Sequence, residues 1–116
     1  MATILLSEAD PDVRRLLVLL LERLGHDVVV LEDGLDALPD ADLLVLEPAA
    51  DAGVAHARAL RALQPGLPIL CVSILPDDAR QLELGPLAYL AKPFSLEELR
   101  AAVDDTLLLA AAACSG

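Results

Sequence analysis

The first predicted strand and helix of this 116-residue chain lie in the sequence ILLSEADPDVRRLLVLLLERLG, residues 4–25. The stretch opens with a short unbroken apolar run at residues 4–6, which is typical of a strand buried on both faces. Asp10 is a good N-cap, and Pro11 suits the first position of a helix. Apolar residues then recur at helical steps of three and four: Val13, Leu16, Leu17, Leu20 and Leu24. Gly25 ends the pattern, so the stretch predicts one strand followed directly by one amphipathic helix.

The rest of the chain repeats this order of strand and helix. Four further short apolar runs predict strands at residues 28–31, 43–46, 69–72 and 87–90. The intervening segments predict a helix at 54–63 and short second and fourth helices at 35–38 and 77–84. A last helix begins at Ser95, which has capping-box spacing to Glu98.

Such alternation implies right-handed crossovers and a parallel sheet with helices on both faces. We therefore expect one α/β domain over residues 1–116, with residues 110–116 frayed at its end.

The composition excludes several classes of function. Eight basic and nineteen acidic residues give a formal net charge of -11, which disfavours direct binding of nucleic acid or of an anionic membrane. Hydrophobic residues make up 56% of the chain, so it is not disordered. The uninterrupted apolar runs, such as residues 16–21, are too short to span a bilayer, and no secretory signal is visible. Cys71 and Cys114 have no metal or redox spacing, so we expect a cytoplasmic protein with reduced thiols.

The functional site is expected where the parallel strands end. In an open parallel sheet, ligands and chemistry gather at the carboxyl ends of the strands. The residues just beyond the predicted strands include Glu8, Glu47, Ser73 and Lys92. Two carboxylates, one hydroxyl and one ammonium should therefore meet at one edge of the sheet.

In sequence, the chain resembles the receiver domains of bacterial two-component response regulators, the CheY-like superfamily, from end to end. Residues 4–14 resemble the family's first strand, acidic pair and first helix, and residues 32–34 the start of its second helix. Residues 68–73 resemble the fourth strand with its hydroxyl residue. Residues 85–94 end in Lys-Pro-Phe, the most specific of these motifs, and by resemblance the bond before Pro93 is cis.

The resemblance implies a doubly wound, flavodoxin-like fold with a five-stranded parallel sheet in the order 2-1-3-4-5. It also implies transfer of a phosphoryl group to an aspartate that holds Mg²⁺ together with the acidic pair, while the hydroxyl and the lysine bind phosphoryl oxygens. Mg²⁺ prefers oxygen ligands, and a phosphoryl group in transfer needs its charge neutralised.

This sequence departs from the family's pattern at the site itself. The phosphoacceptor position holds Glu47, and the second acidic position holds Ala9, which has no side-chain oxygen. Glu8 retains the first acid with one methylene more than the usual aspartate. The loop after Glu47 and the segment from Ser73 to Lys92 are shorter than usual. We therefore expect neither ordinary Mg²⁺-dependent phosphorylation nor enzymatic activity nor a cofactor; Glu8, Asp10 and Glu47 would hold Mg²⁺ only if metal binding is retained.

Several residues at this edge admit two interpretations. Lys92 is either a phosphate ligand or, as we favour, the partner of Glu47 or Glu8 in an ion pair. Glu47 either mimics the phosphorylated state or is inert. Asp10 caps a helix in preference to binding metal. Asp51 is a less favoured substitute for the acceptor, and Tyr89 is either the family's switch aromatic or an ordinary strand residue.

These considerations favour an atypical receiver domain that acts as a phosphorylation-independent interaction module. The alternative is a receiver that is still phosphorylated, at Glu47 or Asp51, with relaxed use of metal. A flavodoxin-like cofactor binder fits less well, because the acidic loop after the first strand would repel phosphate.

The resemblance places the interaction face on the fourth helix, fifth strand and fifth helix. Its candidate residues are Arg80, Leu84, Tyr89, Glu97, Arg100 and Asp104. At least one leucine of residues 107–109 should face outward and suit a protein partner or a second copy in a homodimer.

Overall fold

The sheet is five-stranded and parallel, with its strands in the order β2-β1-β3-β4-β5. The structure is a computed structural model that describes residues 2–31, 40–47, 51–73 and 88–115. The strands are β1 (Thr3–Ser7), β2 (Asp27–Val30), β3 (Leu43–Leu46), β4 (Ile69–Ser73) and β5 (Ala88–Ala91). The helices are α1 (Pro11–Arg23), α2 (Asp51–Leu63) and α3 (Leu96–Ser115), where α3 is the predicted last helix. The predicted fold class and strand order are confirmed; the predicted second and fourth helices lie outside the described residues.

Most boundaries fall within a residue of those predicted, and two helices are longer. The strands β2 and β5 are each displaced by one residue. The helix α2 begins at Asp51 where Val54 was predicted, and α3 continues to Ser115 through the tail that we expected to fray. Both extensions contain alanines, which have the highest intrinsic helix propensity.

The start of α1 has the predicted cap, but its buried face differs from the prediction. The Asp10 side chain accepts hydrogen bonds from the backbone N–H groups of Asp12 at 2.9 Å and Val13 at 3.4 Å. Leu17 and Leu21 are buried, whereas Leu16, assigned to the inner face from the sequence, is 48% exposed. Leucines surround this helix, so their spacing fits more than one face, and contact with the sheet selects among them.

The strand β2 is less buried than the sequence predicted. Its burial alternates between exposed and intermediate, because it lies at the end of the sheet order and pairs there with β1. An unbroken apolar run does not distinguish a central strand from an edge strand, and the expectation of burial on both faces was wrong here.

The sheet separates two apolar cores. One contains inward side chains of α1 and α3 with alternate strand residues, among them Ile4, Leu6, Leu17, Leu21, Leu43, Val45, Leu70, Val72, Leu90, Leu99 and Val103. The other packs α2 against the opposite face, with Leu5, Leu44, Leu46, Ala57, Leu60, Ile69 and Cys71. Burial of both faces fixes the register of the central strands, since a slip by one residue would exchange the two cores. No helix within the described residues is long and apolar enough to cross a membrane.

Truncation of one core side chain tests this arrangement. Leu44→Ala removes a fully buried side chain, and we expect it to lower the free energy of unfolding by about 2–5 kcal/mol. Leu19→Ala is the matched control, because Leu19 is 63% exposed and its loss should change the stability by less than about 0.5 kcal/mol. Urea unfolding of both variants measures the difference, and equal losses would contradict the assigned core.

Candidate functional site at the carboxyl edge of the sheet

The ends of three strands, at the same edge of the sheet, position the charged residues of the site. Glu8 directly follows β1, Glu47 directly follows β3, and Lys92 directly follows β5. The backbone N–H of Glu47 donates to the carbonyl of Ser7 at 2.9 Å, so the pairing of β1 with β3 continues to the first residue beyond β3. This extension of the sheet holds Glu47 beside Glu8.

The lysine contacts both carboxylates at once. Its Nζ lies 3.0 Å from Oε2 of Glu8 and 2.9 Å from Oε2 of Glu47. The side chains of Glu8, Glu47 and Lys92 are 3%, 10% and 16% exposed. The sequence favoured an ion pair with either glutamate, and the structure contains both contacts. One ammonium therefore serves two carboxylates in a group that is largely shielded from water.

The length of the three side chains makes this contact geometrically feasible. The strand β4 lies between β3 and β5, and neighbouring strands are about 4.8 Å apart. The lysine must therefore reach past one strand to meet Glu47 and past two to meet Glu8. The four-carbon stem of the lysine spans part of this distance, and the two glutamate side chains span the rest.

Local contacts also hold Glu8 independently of the lysine. Its second oxygen, Oε1, accepts a hydrogen bond from the backbone N–H of Asp10 at 3.1 Å. The Arg14 side chain donates to the backbone carbonyl of Glu8 at 3.5 Å, at the limit of a hydrogen bond. Neither contact could be predicted from the sequence, because each has a main-chain group as one partner, and main-chain groups leave no pattern of residue types.

The electrostatics of the group favour the charged lysine. Loss of solvent lowers the pKa of Lys92, but hydrogen bonds and charge attraction from Glu47 and Glu8 outweigh this effect and raise the pKa above its usual 10.5. In the neighbouring thiol of Cys71, by contrast, the neutral form is favoured. Burial, together with the negative charge of Glu47, raises the pKa of Cys71 to about 12, so the thiol stays neutral and packs as a small core residue.

The other predicted site residues are only partly described. Ala9 is exposed and adds no side-chain ligand. Asp10 directs its carboxylate to the cap of α1. The backbone of Ser73 ends β4 opposite Ala91, and that of Tyr89 pairs with Cys71. The Lys92–Pro93 bond is cis, as expected from the resemblance.

Side chains of the predicted interaction face are described along α3 alone. Glu97 and Arg100 form an exposed ion pair at 3.3 Å, and Asp104 is exposed on the same side of the helix. Leu108 and Leu109 are 68% and 52% exposed, which confirms that leucines of this helix face outward. Arg80 and Leu84 lie outside the described residues.

Comparison with curated proteins identifies relatives among transcriptional response regulators. The chain is 30% identical over 116 residues to the transcriptional regulatory protein GlrR of Escherichia coli, a match that covers 91% of this chain and 26% of that protein. It is 35% identical over 115 residues to the alkaline phosphatase synthesis transcriptional regulatory protein PhoP of Bacillus subtilis, which covers 90% and 48%. The chain thus spans about a quarter to a half of the length of these relatives. No family model matches it.

Solved structures of receiver domains share the fold. The receiver domain of the sensor histidine kinase PA1611 from Pseudomonas aeruginosa superposes with a TM-score of 0.78 at 24% identity, covering 91% of this chain and 97% of that one. That domain was solved with a magnesium ion coordinated in its active-site cleft. NtrX from Brucella abortus matches with a TM-score of 0.84 at 20% identity, covering 98% of this chain and 28% of that one.

Removal of the shared ammonium should lower the free energy of unfolding. Lys92→Met leaves two shielded carboxylates without their common partner, and we expect a loss of about 3–5 kcal/mol in the free energy of unfolding. The triple variant Glu8→Gln/Glu47→Gln/Lys92→Met removes all three charges and should recover most of that loss. Arg100→Met breaks an exposed pair and should cost at most about 1 kcal/mol. Urea unfolding measures all three variants, and equal losses in the single and triple variants would contradict the ion-pair assignment.

The pKa shifts predict a stability that declines in two stages at alkaline pH. The pKa of Cys71 is 9.0 in the unfolded chain and about 12 in the folded chain. Ionisation of the thiol therefore stabilises the unfolded state as the pH rises above 9.0. The folded pKa of Lys92 lies above its unfolded value of 10.5, so its contribution is complete below pH 10.5 and is lost as the pH rises through the folded pKa. The free energy of unfolding, measured against pH, should show no first stage of decline in Cys71→Ala and no second stage in the charge-free triple variant. Retention of both stages in both variants would contradict these assignments.

Proposed function

The chain belongs to the CheY-like receiver domains of response regulators, and we propose that it is a protein-interaction module whose state is not set by phosphorylation. The contact between Glu47 and Lys92 is the observation that carries this proposal. Glu47 stands at the phosphoacceptor position, and its Oε2 lies 2.9 Å from the ammonium. An acceptor oxygen must approach the donor phosphorus in line, and this contact commits that oxygen to the lysine.

The donor set supports a module that works without Mg²⁺. Mg²⁺ demands octahedral oxygen coordination, and Ala9 offers no side-chain oxygen where the family's pattern has an acid. The two carboxylates that remain, those of Glu8 and Glu47, share the Lys92 ammonium. Within residues 2–31, 40–47, 51–73 and 88–115, no group of three or more His, Cys, Asp or Glu residues could hold a metal ion. These residues do not fit the family's magnesium site.

We place the contact with a partner on the outer side of α3 and its neighbours. Glu97, Arg100 and Asp104 recur there at helical spacing, and Leu108 continues the same line. A depression of about 390 Å³ borders Asp104, Leu107 and Leu108. Exposed leucines beside charged residues suit a protein partner, either another chain or a second copy of this one. The proposed face also includes Arg80, Leu84 and Tyr89.

A second candidate is a receiver that still accepts a phosphoryl group at Glu47 or Asp51 with relaxed use of metal. One observation favours it, because a carboxylate and the lysine that would bind phosphoryl oxygens remain adjacent at the sheet edge. In this function the ion pair would open when a phosphodonor arrives. The two candidates therefore differ in whether Glu47 ever exchanges Lys92 for a phosphoryl group.

Incubation with a small acyl phosphate and Mg²⁺, followed by intact-mass measurement under non-acidic conditions, separates the two functions. We expect the wild-type chain to gain no phosphoryl group, because Glu47 is engaged by Lys92 and the second acidic position is alanine. The matched positive control is Ala9→Asp/Glu47→Asp, which restores the family's residues at both positions and should become phosphorylated when Mg²⁺ is present.

A phosphoryl gain in the wild-type chain that disappears in Glu47→Ala would establish the second candidate and overturn the first. A gain that persists in Glu47→Ala and disappears in Asp51→Ala would place the acceptor at the start of α2. Either gain contradicts a phosphorylation-independent module.

A further inference from the structure

We propose that the outer face of α1 is a self-association surface, on which α1 of a second copy of this chain packs antiparallel. This surface lies apart from the proposed interaction face on α3, because α1 contacts β1 and β2 whereas α3 contacts β4 and β5. The inference goes beyond the proposed function and does not depend on whether a phosphodonor can react.

The surface is a stripe of exposed side chains along α1: Asp12, Leu16, Leu19 and Arg23. They are three or four positions apart, so they lie on one side of the helix. The two leucines at its centre are 48% and 63% exposed. Within the described part of the chain, neither the acid nor the base at its ends has an ion-pair partner. The stripe thus carries opposite charges at its two ends and an apolar centre.

This pattern is complementary to itself when two copies run antiparallel. The two charged residues and the two leucines share one midpoint along the helix. A two-fold rotation about that midpoint places Asp12 against the partner's Arg23, and the reverse contact forms at the other end. The same rotation places Leu16 against the partner's Leu19. A parallel pairing would place each charge against its own copy, so repulsion selects the antiparallel arrangement.

A second pair of charges on α1 fits the same arrangement. Arg15 and Glu22 are both exposed and lie on one flank of the stripe. They are too far apart along the helix to pair with each other. The two-fold rotation brings Arg15 to within about 3 Å, along the helix axis, of the level of the partner's Glu22. Two long side chains can bridge that offset, so the flank adds a further attraction between the copies.

The contact is small, so the dimer should be weak and reversible. A helix of 13 residues is about 20 Å long and about 10 Å wide, and a contact between two of them covers less than the about 800 Å² per partner of a standard stable interface. The net charge of -11 on each copy also opposes association. We therefore expect dimers in concentrated solution and monomers in dilute solution.

Sedimentation equilibrium of the chain at about 10 µM to about 1 mM tests the proposal. The average mass of the wild-type chain should rise toward that of a dimer with concentration. Asp12→Arg and Arg23→Asp each place like charges at both ends of the pair, and each should raise the dissociation constant by about tenfold or more. An equimolar mixture of these two variants should associate again, because the mixed dimer has opposite charges at both ends.

The matched control is Leu108→Ser/Leu109→Ser on α3, which removes two leucines of similar exposure and should leave the association unchanged. Circular dichroism checks that each variant folds. Leu16→Gln/Leu19→Gln replaces the apolar centre with residues of good helix propensity and should be monomeric, so it provides the test if a charge-reversed chain does not fold. The proposal is overturned if the wild-type chain stays monomeric, if the α1 variants associate as the wild type does, if mixing does not restore association, or if the α3 control abolishes it.

Discussion

Two carboxylates held side by side and largely out of water are the constraint on which this edge of the sheet depends. The strands β1 and β3 are neighbours, so the residues that follow them, Glu8 and Glu47, necessarily meet. Burying a single carboxylate without a partner costs free energy. Burying two carboxylates side by side costs more than burying them apart, because like charges repel. Lys92, which follows β5, partly neutralises the two carboxylates. Its ammonium thereby links the residues that follow three strands.

Much of the fold could be predicted from sequence, because the residues that set it act locally. Asp10 and Pro11 mark the start of α1, the reciprocal bonds of Ser95 and Glu98 mark the start of α3, and both caps are present in the structure. The buried face of α1 could not be chosen in the same way. Leu16 and Leu17 have equal hydrophobicity, and only the position of the sheet buries one and exposes the other. The edge position of β2 is likewise a property of strand order and not of its own residues.

The site was predictable in its members but not in its connections. Parallel strands bring Glu8, Glu47 and Lys92 to one edge regardless of what else the chain contains. Whether the lysine contacts one glutamate or both depends on how far each side chain reaches across β4, which lies between β3 and β5. That is a matter of atomic distances, and the two contacts of 2.9 and 3.0 Å settle it in favour of a bridge. The hydrogen bond from the backbone of Asp10 to Glu8 could not be predicted for a related reason. Its donor is a main-chain N–H group, which every residue except proline possesses.

The residue types at this edge suit a group of side chains that balance one another's charges. Glutamate has one methylene more than aspartate, so its carboxylate extends further from the strand end toward a cation supplied by the chain. Lysine suits that role better than arginine, because a compact ammonium on a flexible stem can sit between two carboxylates, whereas a planar guanidinium prefers to face one. The chain contains seven arginines and a single lysine, and that lysine is Lys92. The substitution of longer acids and the placement of the one ammonium therefore act in the same direction, toward a sheet edge whose charge is balanced from within.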